Sequence, residues 1–231
     1  VLHTRMDEIP ERAIAPAEAA AESARFHEAL QATRRQIVAL VEEVSKGIGA
    51  GEAGVFDAHL MVVDDAFLIS CVEKLILEEA LCAERAVTRV ANEYSVKFAA
   101  MSDAYLRERS ADILDIGRRI VRNLMGVADN VPVSFDRPHI IIADDLTPSQ
   151  TVVLPRGQVL GLATDRGSTT SHTAIIARAL GIPAVVGLKN VSAGVRHGDE
   201  VLLDGDKGTV IVRPDSKEAA EYERLKRSRR Q

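Results

Sequence analysis

His172 is preceded by a run of small and hydroxyl-bearing residues, Gly167-Ser168-Thr169-Thr170-Ser171, and followed by an apolar one, Thr173-Ala174-Ile175-Ile176-Ala177. The order reads as strand, loop, cap, histidine, helix. A helix start offers unpaired N–H groups and a partial positive charge, both of which favour a bound dianion. Gly167 lets the backbone approach a ligand closely. Thr169, Thr170 and Ser171 supply hydroxyls that can cap the helix or bond phosphate oxygens. A neutral imidazole in that position is a competent nucleophile toward phosphorus. The pattern therefore points to a phosphohistidine at His172, although spacing alone leaves open a histidine that merely sits near a helix cap. The other histidines, His3, His27, His59, His139 and His197, show no ligand spacing, so no metal site is expected. The chain contains no P-loop, GxGxxG or GxSxG pattern that would offer a competing chemistry.

The elements that must position this loop are legible in the periodicity. Phe26, Leu30, Thr33, Ile37, Val41, Val44 and Ile48 recur at steps of three and four and trace a long amphipathic helix. Helical patterns continue over 55–63, 67–81, from 83 past 96, and from 103 to about 124, where Gly126 stops them. Short connections between them predict an antiparallel helical bundle. After Asn130 the character changes to short β-branched runs at 139–143, 159–164, 184–186, 200–204 and 209–212, with a helix over 171–180 and a tight turn at Asp206-Lys207-Gly208. The expected fold class is thus mixed α+β with an α/β unit. The bundle is expected from about residue 17 to 126, the compact α/β unit after residue 130, and a helix from Ser216 onward leading out of it.

Composition agrees with an ordinary globular chain: 231 residues, 46% hydrophobic, 27% charged and only 3% aromatic. A formal net charge of -5 excludes the basic excess of a nucleic-acid binder. No apolar run is long enough to span a membrane and no signal-peptide pattern is present, so a cytoplasmic protein is expected. Cys71 and Cys82 read as reduced thiols. The basic cluster near Arg224–Arg230 reads as a solvated helix end.

The stretch from Gly167 to Gly187, Gly-x-x-Thr-Ser-His-Thr-Ala-Ile-Ile-Ala-Arg-x-Leu-Gly-Ile-Pro-Ala-Val-Val-Gly, resembles the phosphohistidine signature of the phosphoenolpyruvate-using phosphotransferases. Those include enzyme I of the bacterial sugar phosphotransferase system, phosphoenolpyruvate synthase and pyruvate phosphate dikinase. Phe56–Asp65, Tyr105–Arg119 and Asp144–Thr151 resemble enzyme I in particular. The resemblance covers nearly the whole chain and matches the amino-terminal half of enzyme I. It implies a swivelling phosphohistidine α/β domain over residues 1–15 and 127–215, a helical insert over 16–126 that docks a histidine-containing phosphocarrier protein, and a linker helix over 216–231. His172 would take the phosphoryl group on Nε2, with Gly167 to Ser171 as its pocket and Thr151 bonding the resting ring. The docking face would involve His59, Met61, Val62, Leu68, Phe98, Leu106 and Arg109; Met61, Val62 and Leu68 could equally be bundle core, and Thr151 a plain helix-cap residue.

The resemblance also implies a carboxy-terminal phosphoenolpyruvate-binding domain outside this chain. Mg²⁺ is expected for the full-length enzyme and no cofactor for this part, which alone would exchange phosphate with a phosphocarrier but not use phosphoenolpyruvate. Two departures stand out: Ser168 where the family has a second glycine, and Thr169 where enzyme I commonly has arginine. Carboxylates frequent near the first docking helix are replaced by Gly51, Ala53, Gly54, Ala66 and Phe67, which suggests a variant partner. Alternatives within the resemblance are a regulatory enzyme I of the nitrogen-related branch, or the swivelling domain of a phosphoenolpyruvate synthase or dikinase.

Overall fold

The computed structural model describes residues 12–47, 54–127, 135–155, 157–169 and 171–228, with backbone alone at 47, 55, 104, 105, 108, 172, 226 and 228. Those residues divide into a helical unit, which ends before Asn130, and an α/β unit after it.

The helical unit holds α1 (Ala19–Gly47), α2 (Val55–Val63), α3 (Ala66–Glu79), α4 (Ala83–Ala99) and α5 (Ala104–Met125). On α1 the buried side chains are Ala19, Glu22, Phe26, Ala29, Thr33, Ile37, Leu40 and Val44, a seam close to seven-residue spacing. Leu30 and Val41, expected in the stripe, flank it half-buried because the seam runs one residue earlier at those turns; Ile48 lies outside the described residues. The α1 seam packs on α2, α3 and α5, and α4 lies along α5. That last crossing is close: a Cβ built on Gly117 of α5 would stand 2.7 Å from the Ala91 Cβ of α4. The ends are capped chemically, by Asp65 accepting from the Phe67 and Leu68 amides and Asp103 from the Leu106 amide.

Residues 12–15, expected in the α/β unit, belong to the helical one. Ala13 bridges Leu81, Ile14 is buried, and Arg12 pairs with Glu22 at 2.7 Å. Glu22 in turn accepts from Arg25 and from the Ala83 amide, each at 2.8 Å. Arg25 also bonds the buried Glu84 carboxylate and, at 2.8 Å, the Leu124 carbonyl near the end of α5. Burial pushes the Glu84 carboxyl up, but the Arg25 bonds and charge outweigh it and leave the group below its ordinary value.

The α/β unit holds β1 (His139–Ala143), α6 (Pro148–Val152), β2 (Val159–Thr164), α7 (His172–Ala179), β3 (Ala184–Val185), α8 (Val191–Gly194), β4 (Val201–Asp204), β5 (Thr209–Val212) and α9 (Ser216–Ser228). Strands β1, β2 and β3 form a parallel sheet in that order, and β4 pairs antiparallel with β5. Alternation sorts the sheet's side chains into two cores. Ile141, Ala143 and Leu162 pack with Leu146, Leu154, Ala177 and Ile182 on the helix face. Ile142, Ala163 and Val185 pack with Val195 and Leu203 toward the hairpin. Helix α9, expected to lead away as a linker, is tied down by the Tyr222 hydroxyl donating to Leu203 O at 2.8 Å.

Candidate phosphoryl-transfer site

The loop from β2 into α7 leaves the carboxyl edge of the parallel sheet, where open α/β sheets bind ligands. Its path is fixed by backbone bonds to both neighbouring connections. The Asp165 amide donates to Ala143 O at 3.2 Å and the Arg166 amide to Asp144 O at 2.9 Å, joining it to the end of β1. From the other side, the Leu188 amide donates to Thr164 O at 3.1 Å and the Lys189 amide to Asp165 O at 2.9 Å. The buried Asp165 carboxylate accepts from the Val191 and Ser192 amides and the Ser192 hydroxyl, so it caps α8 and anchors the loop from beneath.

Gly167 turns the chain at φ +100°, and Gly187 at φ +78° lies where an added Cβ would come within 3.2 Å of Gly167 O. Neither position tolerates a side chain without strain. Ser171 then caps α7: its Oγ accepts from the Ala174 amide at 3.3 Å, and its own amide donates to Ser168 O at 3.0 Å. His172 is thus the first residue of the helix. Its side chain and Thr170 lie outside the described residues. Ser168 and Thr169 are exposed on the loop.

Thr151 is wholly buried on α6, which packs on α7. Its hydroxyl donates to Thr147 O at 2.9 Å, leaving its oxygen lone pairs as acceptors. Thr173 fixes α7 to the connection before α6 by donating to Leu146 O. A cavity of about 720 Å³ opens beside the loop, lined among others by Thr169, Arg178, Gly187, Asp204, Asp206 and Tyr222. Among the described residues no cluster of three or more His, Cys, Asp or Glu is placed to hold a metal.

The seven expected docking residues behave unequally. Met61 is exposed at 68%, while Val62, Leu68, Phe98, Leu106 and Arg109 are half-buried. His59 corrects the expectation: it is fully buried, edge-on to Phe56, with Nε2 3.3 Å from Asp112 Oδ1 on α5. It braces α2 against α5 and offers no surface to a partner. The sequence reading missed the exposure of Phe67 at 65% and Val96 at 69%. A large apolar residue two positions after the Asp65 cap was the available signal for Phe67. Phe67 lies edge-on to Tyr94 at 6.0 Å, with Lys97 over the Tyr94 ring. Asp165 was also missed, because its role depends on a four-residue helix too short to show in periodicity.

Residues 1–109 match the family described as PEP-utilising enzyme, N-terminal, and residues 135–208 the family described as PEP-utilising enzyme, mobile domain. A solved structure described as an NMR solution structure of enzyme I is 40% identical, superposes with TM-score 0.74, and is matched over 97% of this chain and 92% of that one. The chain belongs to the enzyme I family. The amino-terminal domain of a nitrogen-type enzyme I is 27% identical with TM-score 0.62, over 95% of this chain and 89% of that one. The phosphoenolpyruvate-protein phosphotransferase of Bacillus sp. (strain S) is 42% identical over 218 residues, 94% of this chain and 37% of its own length. The chain thus spans about a third of the length of the curated relatives it matches. Among the described residues no helix is long and apolar enough to cross a membrane.

Proposed function

We propose that His172 accepts a phosphoryl group and passes it to a histidine-containing phosphocarrier protein, as one step of a phosphoenolpyruvate-driven relay. The observation that carries this reading is the placement of a histidine at the first position of α7, directly after its Ser171 cap and beside the Gly167 turn. The amides of the first turn and the helix dipole favour the dianion there. The Thr151 oxygen, its proton committed to Thr147, is suited to accept from an imidazole N–H and so leave the opposite nitrogen free to attack.

Transfer between two imidazoles balances without proton movement. The N–P bond on the donor ring breaks as the N–P bond at His172 forms, and each ring keeps the N–H on its far nitrogen. Both rings must be in line with phosphorus, so positioning and charge stabilisation supply the catalysis. The exposed Met61, together with Val62, Leu68, Phe98, Leu106 and Arg109, would form the carrier's docking face, and the exposed Phe67 suits the same role. The phosphoenolpyruvate-binding domain and its Mg²⁺ would belong to residues outside this chain. The greater likeness to enzyme I than to its nitrogen-type relative favours the sugar-system reading over the regulatory one.

Incubation of the chain with a ³²P-phosphorylated histidine carrier tests the proposal. Acid-labile, alkali-stable label is expected on the wild type and none on His172→Gln. Label that survives the substitution overturns it.

A further inference from the structure

Arg166 is the only basic residue in the connection between β2 and α7. Its Nε stands 3.2 Å from Asp144 Oδ2, and its amide donates to Asp144 O at 2.9 Å. The two residues lie just beyond the paired ends of β1 and β2, where Ala143 faces Thr164. Both side chains are open to water, 69% and 61% exposed, so this pair is weak and readily exchanged. The adjacent Gly167 lies so close to the helix cap that a Cβ on it would be 3.6 Å from Ser171 Oγ. A long arginine side chain rooted one residue away can therefore reach the mouth of α7.

We propose that Arg166 is the cation that contacts the phosphoryl dianion at His172, and that Asp144 is its counter-ion in the unphosphorylated state. The inference rests on the phosphohistidine reading above and adds the residue that complements the dianion's charge. A guanidinium presents paired N–H donors that match two phosphoryl oxygens, and it binds a dianion more strongly than a single exposed carboxylate. Position 169, on the loop itself, is an uncharged threonine. Arg178 stands six residues beyond His172, past the first helical turn. Another basic residue beside the loop is Lys189, whose amide bonds Asp165 O. On phosphorylation Arg166 exchanges Asp144 for the phosphoryl oxygens, so the ion pair holds the arginine ready and also competes for it.

The test is chemical phosphorylation with potassium phosphoramidate, which needs no protein partner. The His172 nitrogen bonds phosphorus as the reagent's P–N bond breaks, and the departing nitrogen takes a proton and leaves as ammonia. Phosphorus NMR follows both the rate of phosphohistidine formation and the titration of the phosphoryl group. Arg166→Gln is expected to slow formation about tenfold and raise the phosphoryl pKa, with Arg166→Lys intermediate. Asp144→Asn is expected to act in the opposite sense, speeding formation about two- to fivefold and lowering the phosphoryl pKa. Lys189→Gln should match the wild type. A pair that only braces the loop would make Arg166→Gln and Asp144→Asn move together, and that result overturns the inference. If wild type and Arg166→Gln label His172 equally, this inference alone falls. If the wild type gives no signal that His172→Gln removes, the phosphohistidine reading falls with it.

Discussion

Asp165 shows how much of the β2–α7 loop depends on one buried side chain beneath it. Its carboxylate accepts from two amides and a hydroxyl of α8, while its backbone joins the loop to β1 and to Lys189. Replacing it with alanine removes all three bonds and leaves partly buried donors without that acceptor. Asp165→Ala should therefore cost about 3 kcal/mol in denaturant unfolding and slow phosphoryl acceptance at His172. A second buried carboxylate, Glu84, makes a pH-dependent contribution. Its folded pKa lies below the ordinary 4.5, so its stabilisation is fully present above that value and is lost as pH falls through the depressed one. Glu84→Gln should lower stability by about 1–3 kcal/mol at neutral pH. Its unfolding free energy should also fall less steeply below pH 4.5 than that of the wild type. Parallel acid limbs for the two proteins would contradict the assignment.

At the scale of elements, the α4–α5 crossing sets opposing effects against each other. Alanine at Gly117 would gain about 1 kcal/mol of helix propensity, but its Cβ would stand 2.7 Å from Ala91. Overpacking of that kind costs about 1–3 kcal/mol, so Gly117→Ala should lower the melting temperature. A rise would mean that the helices separate freely. The same level explains what the sequence made legible. Strands β1 and β2 fall where the sequence places them, because turn residues bound each one and both faces of the parallel sheet are covered, and β5 does so because the turn of its antiparallel hairpin sets where it starts. Helix α8, at four residues, carries no period. The burial of His59 was not legible either, since a histidine on an apolar helix suits a core or a surface until its partner, Asp112, is brought beside it from 53 residues away. Residues 12–15 were misassigned because the Ala13–Leu81 bridge is a long-range contact that local pattern does not encode.

At the scale of the whole molecule, the proposed phosphoryl acceptor and the exposed side chains proposed for docking fall in different units. His172 and its loop lie in the α/β unit, and Met61 and Phe67 in the helical one. That division predicts separable defects. Phe67→Asp or Met61→Asp should weaken exchange with a phosphocarrier protein about tenfold or more, yet leave the melting temperature and phosphoramidate labelling of His172 unchanged. Loss of both activities together would contradict it. The central claim is the position of the transferred phosphoryl group, and peptide mapping by mass spectrometry after exchange with a phosphorylated histidine carrier tests it most directly. The account predicts one phosphorylated peptide, with the added mass on His172. Phosphate found instead on His139 or His197, or on no histidine at all, would contradict it.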